Sequence, residues 1–363
     1  MSERVLVLHW GRNGGGPKFA LEMAEGLLTL GVDTFTSLNV EVRPQQTTHD
    51  FPVRTYSSEV GLVVGLPRLA LVALRLRRFI RVNGITLVYS PMLSIWQSLA
   101  IWLIIPPRIS YAASIHDAYD HPGERHVLKS LARWLEFSRA DFVVTYSTTV
   151  GSEVRGQMRR RSSLVVVPHG VDVIDSAART ISEQQSPIVV GFLGRIVEYK
   201  GIDVFVEAID IARRTNPSIR GSVHGMGDVP EELISRSGSY IDWNIEWIAE
   251  DQLHSIAATF DIIALPYKEA SQSGIMTIAL ANAIPVVATP VGGLTEQVQT
   301  SRGGLLSGDT TSGSFASAIN RLADDPALYA RLSREGLATA RESMSWTASA
   351  TEMLNSIDAA RDH

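Results

Sequence analysis

The chain has 363 residues and a mass of 39.6 kDa, more than one hydrophobic core holds, so two domains of roughly 150–200 residues are expected. Apolar residues make up 45% and charged ones 20%, which excludes disorder over most of the length; the lack of cysteine excludes disulfide frameworks, thiolate nucleophiles and Cys-based metal sites. The net charge of −5 hides an asymmetry: Val60 to His116 contains no Asp or Glu, but holds Arg68, Arg75, Arg77, Arg78, Arg81 and Arg108, a split that suits a local anionic partner.

The start, MSERVLVLHW, enters a strand-like run without a basic–apolar–small cleavage pattern, so a cytoplasmic chain is expected rather than a secreted one. Val5–His9 reads as a strand, followed by Trp10-Gly11-Arg12-Asn13-Gly14-Gly15-Gly16-Pro17 and a helix to about Leu30. Consecutive glycines let backbone N–H groups approach a ligand, and an anion at that helix start would meet free donors and the positive dipole end. The same residues equally serve a tight turn in which helix and strand pack. Neither G-x-x-x-x-G-K-[ST] nor G-x-G-x-x-G occurs in this loop, so a phosphate-loop NTPase and a dinucleotide-dependent dehydrogenase are disfavoured.

Pro67–Arg81, PRLALVALRLRRFIR, has helical spacing, with Leu69, Val72, Leu76, Phe79 and Ile80 on one face and arginines on the opposite half. Leu71 and Leu74 fall among arginines such as Arg68, Arg75 and Arg78. Leucine mixed with arginine on an outer face suits an anionic membrane surface, while a merely solvated face remains the alternative. The longest apolar stretch, Pro91 to Pro107, is interrupted by Gln97 and falls short of the ~18 residues of a span, although the mean hydropathy of +0.08 is high for a soluble chain.

Further strands are expected at Leu87–Ser90, Ser110–Ile115, Phe142–Thr145 and Leu164–Pro168. After a polar stretch containing ISEQQSP, the series restarts at Ile188–Leu193, Gly221–His224, Ile262–Pro266 and Val286–Ala288. Apolar strands alternating with helices read as parallel sheets, so the fold class is α/β, with two doubly wound domains facing each other. Ligands of such sheets bind beyond the carboxyl ends of strands. Two loops there are anion-friendly. Gly194-Arg195-Ile-Val-Glu198-Tyr-Lys200-Gly201 sets two cations across a strand-to-helix turn, with surface pairing to Glu198 as the alternative. Glu269-Ala-Ser271-Gln272-Ser273-Gly274 puts small residues at a helix start, where Glu269 could accept sugar hydroxyls or cap the helix.

In order and spacing, G-R-x4-K-G, E-x2-Q-S-G and P-V-V-A-T-x-V-G-G-L-x-E resemble the donor half of retaining GT-B glycosyltransferases of family 4, the group 1 glycosyl transferases. The first half is similar too, in its glycine loop, in His116-Asp117-x3-His121-Pro122-Gly123-Glu124 and in Val167-Pro-His-Gly-Val-Asp172. The resemblance implies two Rossmann-like domains around a central cleft: an acceptor domain over 1–175, a donor domain over 186–344, and a closing helix over 345–363 that could return to the first domain.

It also implies roles. Arg195 and Lys200 would hold the donor diphosphate, with backbone N–H bonds from Ser273 and Gly274. Glu269 would contact the transferred sugar, Gly15 and Gly16 would approach the reaction centre, and His116 would sit near the anomeric carbon, a structural histidine being its alternative. The family's second glutamate is missing. Its place falls on Thr277 or Ile278, and only the threonine could bond the ribose.

The implied activity is hexosyl transfer from a nucleotide-diphosphate sugar, UDP or GDP for instance, to a glycan or lipid-linked acceptor in polysaccharide or glycolipid synthesis. No cofactor, essential metal or nucleic acid is expected; if the basic helix binds lipid, the protein is peripheral on the inner face of the membrane. Two alternatives stay open: a sugar-nucleotide epimerase, and a non-catalytic sugar-nucleotide-binding subunit of a glycosyltransferase complex.

Overall fold

A computed structural model describes residues 3–12, 14–42, 49–55, 65–118, 127–181 and 186–361. Asn13, the His121–Glu124 part of the sequence motif and residues 182–185 of the joint lie outside the described residues. The chain divides into two compact units, Met1–Gly170 with Trp346–His363, and Val171–Ser345. The break falls at Gly170 rather than after residue 175, because Val171 donates its N–H to Met344 O (2.7 Å) and bridges to Ser345.

In the first unit, β1 (Arg4–His9), α1 (Gly15–Thr29), β2 (Asp33–Leu38), α2 (Leu66–Val82), β3 (Leu87–Ser90), α3 (Ile95–Ile104), β4 (Ser110–Ser114), α4 (Val127–Arg139), β5 (Phe142–Thr145), α5 (Thr148–Val154) and β6 (Ser163–Val166) follow one another, and α13 (Trp346–Arg361) joins from the far end of the chain. The strands form one parallel six-stranded sheet in the order β2-β1-β3-β4-β5-β6. Alternation sends Leu6, Leu8, Val88 and Tyr111 to the face covered by α2, α3 and α4, and Val5, Val7, Leu87 and Ala112 to the face covered by α1 and α13. Burial on both faces explains why these strands read as continuous apolar runs.

The second unit repeats the plan with β7 (Ile188–Leu193), α6 (Ile202–Thr215), β8 (Ile219–His224), α7 (Glu231–Arg236), β9 (Ile241–Asn244), α8 (Leu253–Ala257), β10 (Ile262–Leu265), α9 (Gly274–Ala281), β11 (Val286–Ala288), α10 (Gly292–Ser301), β12 (Gly304–Leu306), α11 (Ser312–Ala323) and α12 (Pro326–Glu342). Its parallel sheet has the order β12-β11-β10-β7-β8-β9. Each sheet therefore has one point where successive connections diverge: between β1 and β3 in the first unit, between β7 and β10 in the second. Crevices beyond the carboxyl ends of strands at such points are the ligand sites of open α/β sheets. Three strands not anticipated from the sequence, β2, β9 and β12, all lie at sheet edges.

Candidate active site

At the switch point of the second unit, β7 and β10 pair in parallel, Ile262 opposite Val190 and Ile263 opposite Gly191, so their outgoing loops emerge side by side. Backbone contacts tie them together: Lys268 N–H donates to Tyr199 O at 2.7 Å. Gly201 has φ 69°, and a Cβ there would lie 2.0 Å from Pro266 O. The left-handed turn and the close approach both demand glycine.

Those constraints aim Lys200 inward. Its Nζ stands 5.2 Å from the centroid of the Tyr267 ring, and a Cβ on Gly194 would sit 3.4 Å from both Lys200 Nζ and Ile275 Cδ1. The ammonium thus rests between the β7 loop, an aromatic face and the first turn of α9. A helix start leaves its leading N–H groups without intrahelical acceptors and carries partial positive charge. A cation and a helix N-terminus converging on one spot form an anion site. Arg195 is exposed at the carboxyl end of β7, in a loop running beside the β8 loop, where Ile196 N–H donates to Met226 O at 2.9 Å.

Around α9 the structure revises part of the expectation. Ser273 N–H does not point to an open anion position; it donates to Gln297 Oε1 at 2.9 Å, and Gln297 Nε2 donates back to Ser273 O at 3.1 Å. This two-point clamp fixes the loop, so Ser273 acts as a support. The N–H groups that the helix leaves for an anion are those of Gly274 and Ile275. Ser273 Oγ lies 3.1 Å from Tyr267 Oη, which links the loop to the ring under Lys200. Thr277 Oγ1 donates to Gly274 O at 2.8 Å, leaving only acceptor capacity toward a ribose hydroxyl. Lys268 is held by Asp203 at 2.9 Å; Ser271 is half-buried and Glu269 exposed.

Gln272 is the anomaly. It is 9% exposed, and both its amide oxygen and nitrogen are buried without a hydrogen-bond partner. An unpaired buried amide costs about 1–3 kcal/mol. Its position in the loop before α9 makes a ligand hydroxyl or phosphate oxygen the natural complement. Beyond β8, His224 Nε2 accepts from Ser222 Oγ (3.1 Å) and Asn244 Nδ2 (3.2 Å), and burial lowers its pKa, so the ring is neutral at physiological pH.

The switch point of the first unit is built differently. His9 at the end of β1 is 3% exposed, and burial pushes its pKa down to about 4 against the opposing bond to Met92. The carbonyl of Met92, 3.2 Å from Nδ1, accepts a hydrogen bond from that nitrogen and thereby fixes the neutral tautomer. The opposite ring edge lies under the glycine loop, where a Cβ on Gly16 or Gly11 would meet His9 Nε2 at 2.4 Å. Gly16 is thus required by the histidine beneath it. A Cβ on Gly15 would meet nothing within 4 Å.

Gln97, fully buried on α3, accepts from Trp10 N–H (3.2 Å) and donates to Ser90 Oγ (2.7 Å), bracing both loops of the switch point. Arg12 pairs with Glu41 at 3.0 Å. Beyond β4, His116 Nδ1 lies 3.3 Å from Asp117 Oδ2, and its ring belongs to an aromatic group with Tyr146 and His169, centroids 6.2 and 5.8 Å away. Phe19 and Trp346 complete that group around His169.

His9, Gln97, Tyr267 and Gln297 had no assigned role in the sequence. For His9 and Gln97 the available signal was a polar residue at the end of an apolar strand and within an apolar helix. Among the described residues, no group of three or more His, Asp or Glu side chains is arranged to hold a metal ion, and no helix is long and apolar enough to cross a membrane.

Residues 187–325 match the family described as Glycosyl transferases group 1, and residues 13–174 match Glycosyltransferase Family 4. The two sheets have the GT-B fold, and the two matches support a glycosyltransferase. Among relatives, the D-inositol 3-phosphate glycosyltransferase of Segniliparus rotundus is 31% identical over 210 residues, 54% of this chain and 46% of the relative. That of Actinosynnema mirum is 29% identical over 222 residues, 55% and 53% of the two chains. The chain therefore spans about half the length of the relatives it matches.

In fold, it resembles sucrose-phosphate synthase from Thermosynechococcus elongatus (TM-score 0.74, 16% identity, 99% of both chains). It also resembles Anabaena Alr3699/HepE in complex with UDP-glucose (TM-score 0.71, 16% identity, 98% of this chain and 99% of that one). A putative UDP-N-acetylglucosamine 2-epimerase from Listeria monocytogenes shares the fold as well (TM-score 0.63, 12% identity, 100% and 97%), so fold alone does not choose between transfer and epimerisation.

Proposed function

We propose that this protein is a retaining hexosyltransferase that moves a sugar from a nucleotide-diphosphate sugar to a glycan or lipid-linked acceptor, in the synthesis of a polysaccharide or glycolipid. One observation carries the reading: the Lys200 ammonium held between Gly194, Tyr267 and Ile275 at the start of α9. Cleavage of the glycosyl–phosphate bond places negative charge on the leaving diphosphate. A preorganised cation and N–H groups stabilise that charge more in the transition state than in the ground state. Lys200 and the Gly274 and Ile275 N–H groups receive one phosphate, and Arg195 the other. Glu269 accepts hydrogen bonds from hydroxyls of the sugar, and the Gln272 amide pairs with a polar group of the donor.

Retaining hydrolases use two carboxylates about 5–5.5 Å apart. With Glu269 alone in the loop, the reaction proceeds on one face of the sugar. The bond from the anomeric carbon to the phosphate oxygen breaks, the acceptor oxygen bonds from the same side, and its proton passes to the leaving phosphate oxygen. The resemblance further assigns His116 and Gly15, of the first unit, to the transferred sugar.

The test is a transfer assay over UDP-, GDP- and ADP-sugars with a panel of acceptors that includes D-inositol 3-phosphate, the substrate named for the relatives. Acceptor-dependent turnover with retained anomeric configuration is expected, and it should persist in a chelator. Donor consumption without any acceptor would support the epimerase instead.

A further inference from the structure

The helices α2, α3 and α4 all bury their inner sides in the same core, on one face of the first sheet. Their outer sides therefore look the same way. Those outer sides are unusually apolar. On α2, Leu71 (59% exposed) and Leu74 (52%) line up with Val82, Arg75 and Arg78 at helical spacing. On α3, Trp102 and Leu103 are about half exposed. On α4, Val127, Leu131 and Trp134 recur at i, i+4 and i+7, and Trp134 is 64% exposed. The apolar stripe of α4 thus faces solvent while a second one, through Ala132 and Phe137, faces the core.

The helices are also tied laterally. Arg77 Nη1 donates to Leu103 O at 3.2 Å, and Trp102 Nε1 to Ser138 Oγ at 3.0 Å. The result is one contiguous surface, larger than the α2 helix alone suggests. Scattered surface leucines need no explanation, but a continuous apolar surface does.

Its charge is of one sign. Across the three helices the only acid is Glu136, which is buried, while Arg68, Arg75, Arg78, Arg81 and Arg108 are exposed on or beside them. A second copy of the same face would set arginine against arginine across a two-fold axis. A lipid bilayer with anionic headgroups complements both properties: arginine heads reach phosphates while their stems and the leucines lie in the apolar boundary, and tryptophan favours that interface.

We propose that the outer face of α2, α3 and α4 docks on an anionic membrane, with Trp102 and Trp134 at headgroup level and the α2 arginines on lipid phosphates. The surface stands independently of the transfer reaction. If both hold, the acceptor is lipid-linked or membrane-bound.

The test is co-sedimentation of the whole protein with vesicles of phosphatidylcholine alone and of equimolar phosphatidylcholine and phosphatidylglycerol, at low and high salt. Binding is expected only to the anionic vesicles, weakening as salt rises. Removing two basic charges with Arg75→Gln and Arg78→Gln should lower partitioning roughly 25-fold, about fivefold for each charge. Trp102→Phe with Trp134→Phe should abolish most of the fluorescence quenching by bromine-labelled lipid. Because Arg75 and Arg78 lie on the surface, the melting temperature of the arginine variant should match the wild type, while the tryptophan variant, which loses the Trp102–Ser138 bond, should melt slightly lower. No binding to anionic vesicles at low salt would overturn the proposal, as would binding unchanged in the arginine variant. So would a dimer in sedimentation velocity that the tryptophan variant splits, since a second copy would then cover the face.

Discussion

The glycine loop after β1 and the Arg195–Gly201 loop after β7 hold equivalent places, each crossing from the first strand of a doubly wound sheet to its first helix. They differ in what lies around them. Beneath the first is a buried neutral imidazole, braced through Met92, with Gln97 tying Trp10 to Ser90; its nearby Arg12 is paired with Glu41. Around the second are Lys200, a helix N-terminus and an unpaired buried amide. One backbone plan therefore yields a shape-defined neutral platform in one unit and, on the proposed reading, an anion cradle in the other. The fold supplies the place, and loop chemistry decides what it binds.

The largest expected effect tests the cradle. Lys200→Ala should lower kcat by roughly 10²–10³ with little change in melting temperature. Arg12→Ala at the equivalent place should change stability by less than about 1 kcal/mol, as expected of an exposed ion pair, and turnover hardly at all. Similar kinetic losses in both variants would erase the contrast.

The neutral half makes a pH prediction. Burial raises Glu136 to about 7, against hydrogen bonds from Ser98 and Tyr111 that favour its charged form, so its contribution is full below the unfolded value of 4.5 and is lost as pH rises through 7. His9, lowered to about 4, acts oppositely: stability grows as pH rises from 4 to the unfolded value of 6.5. In the wild type the two largely offset. Denaturant titrations of Glu136→Gln should uncover the His9 rise alone, with the difference from wild type changing by about 3 kcal/mol between pH 4 and pH 8. A parallel pH profile for the two proteins would show that Glu136 does not titrate as described.

A smaller effect separates neighbouring glycines. Gly16→Ala presses on the His9 ring and should cost about 1–3 kcal/mol in urea unfolding, whereas Gly15→Ala, with open space at its Cβ, should be close to neutral. Smallest is Gln272→Leu, which removes the unpaired amide. It should stabilise the free protein by about 1 kcal/mol and weaken donor binding, two changes of opposite sign readable by thermal shift with and without nucleotide sugar.

The central strands were legible because burial on both faces writes them as β-branched runs such as Ile188–Leu193. Three of the four edge strands were not: DTFTSL and IDWN are too polar, and GLL too short, to stand out as apolar runs. The loops of the site were readable because they follow those central strands. Their supports were not, because Gln297 reaches Ser273 from 24 residues away and His9 reaches Gly16 only once strand and loop are packed. The reading of Ser273 as an N–H donor to the ligand failed for that reason. Likewise α2 announced its exposed leucines by itself, but Trp102 and Trp134 joined them only through the lateral order of the helices.

The central claim concerns phosphate, and calorimetric titration tests it most directly: a nucleoside diphosphate and its monophosphate, each against the wild type and Lys200→Ala. The cradle predicts that the wild type binds the diphosphate at least about tenfold more tightly, as one charge-assisted contact of roughly 1.5–3 kcal/mol requires, and that the variant loses the preference. Equal affinities in the wild type, or a preference that survives without Lys200, would contradict it.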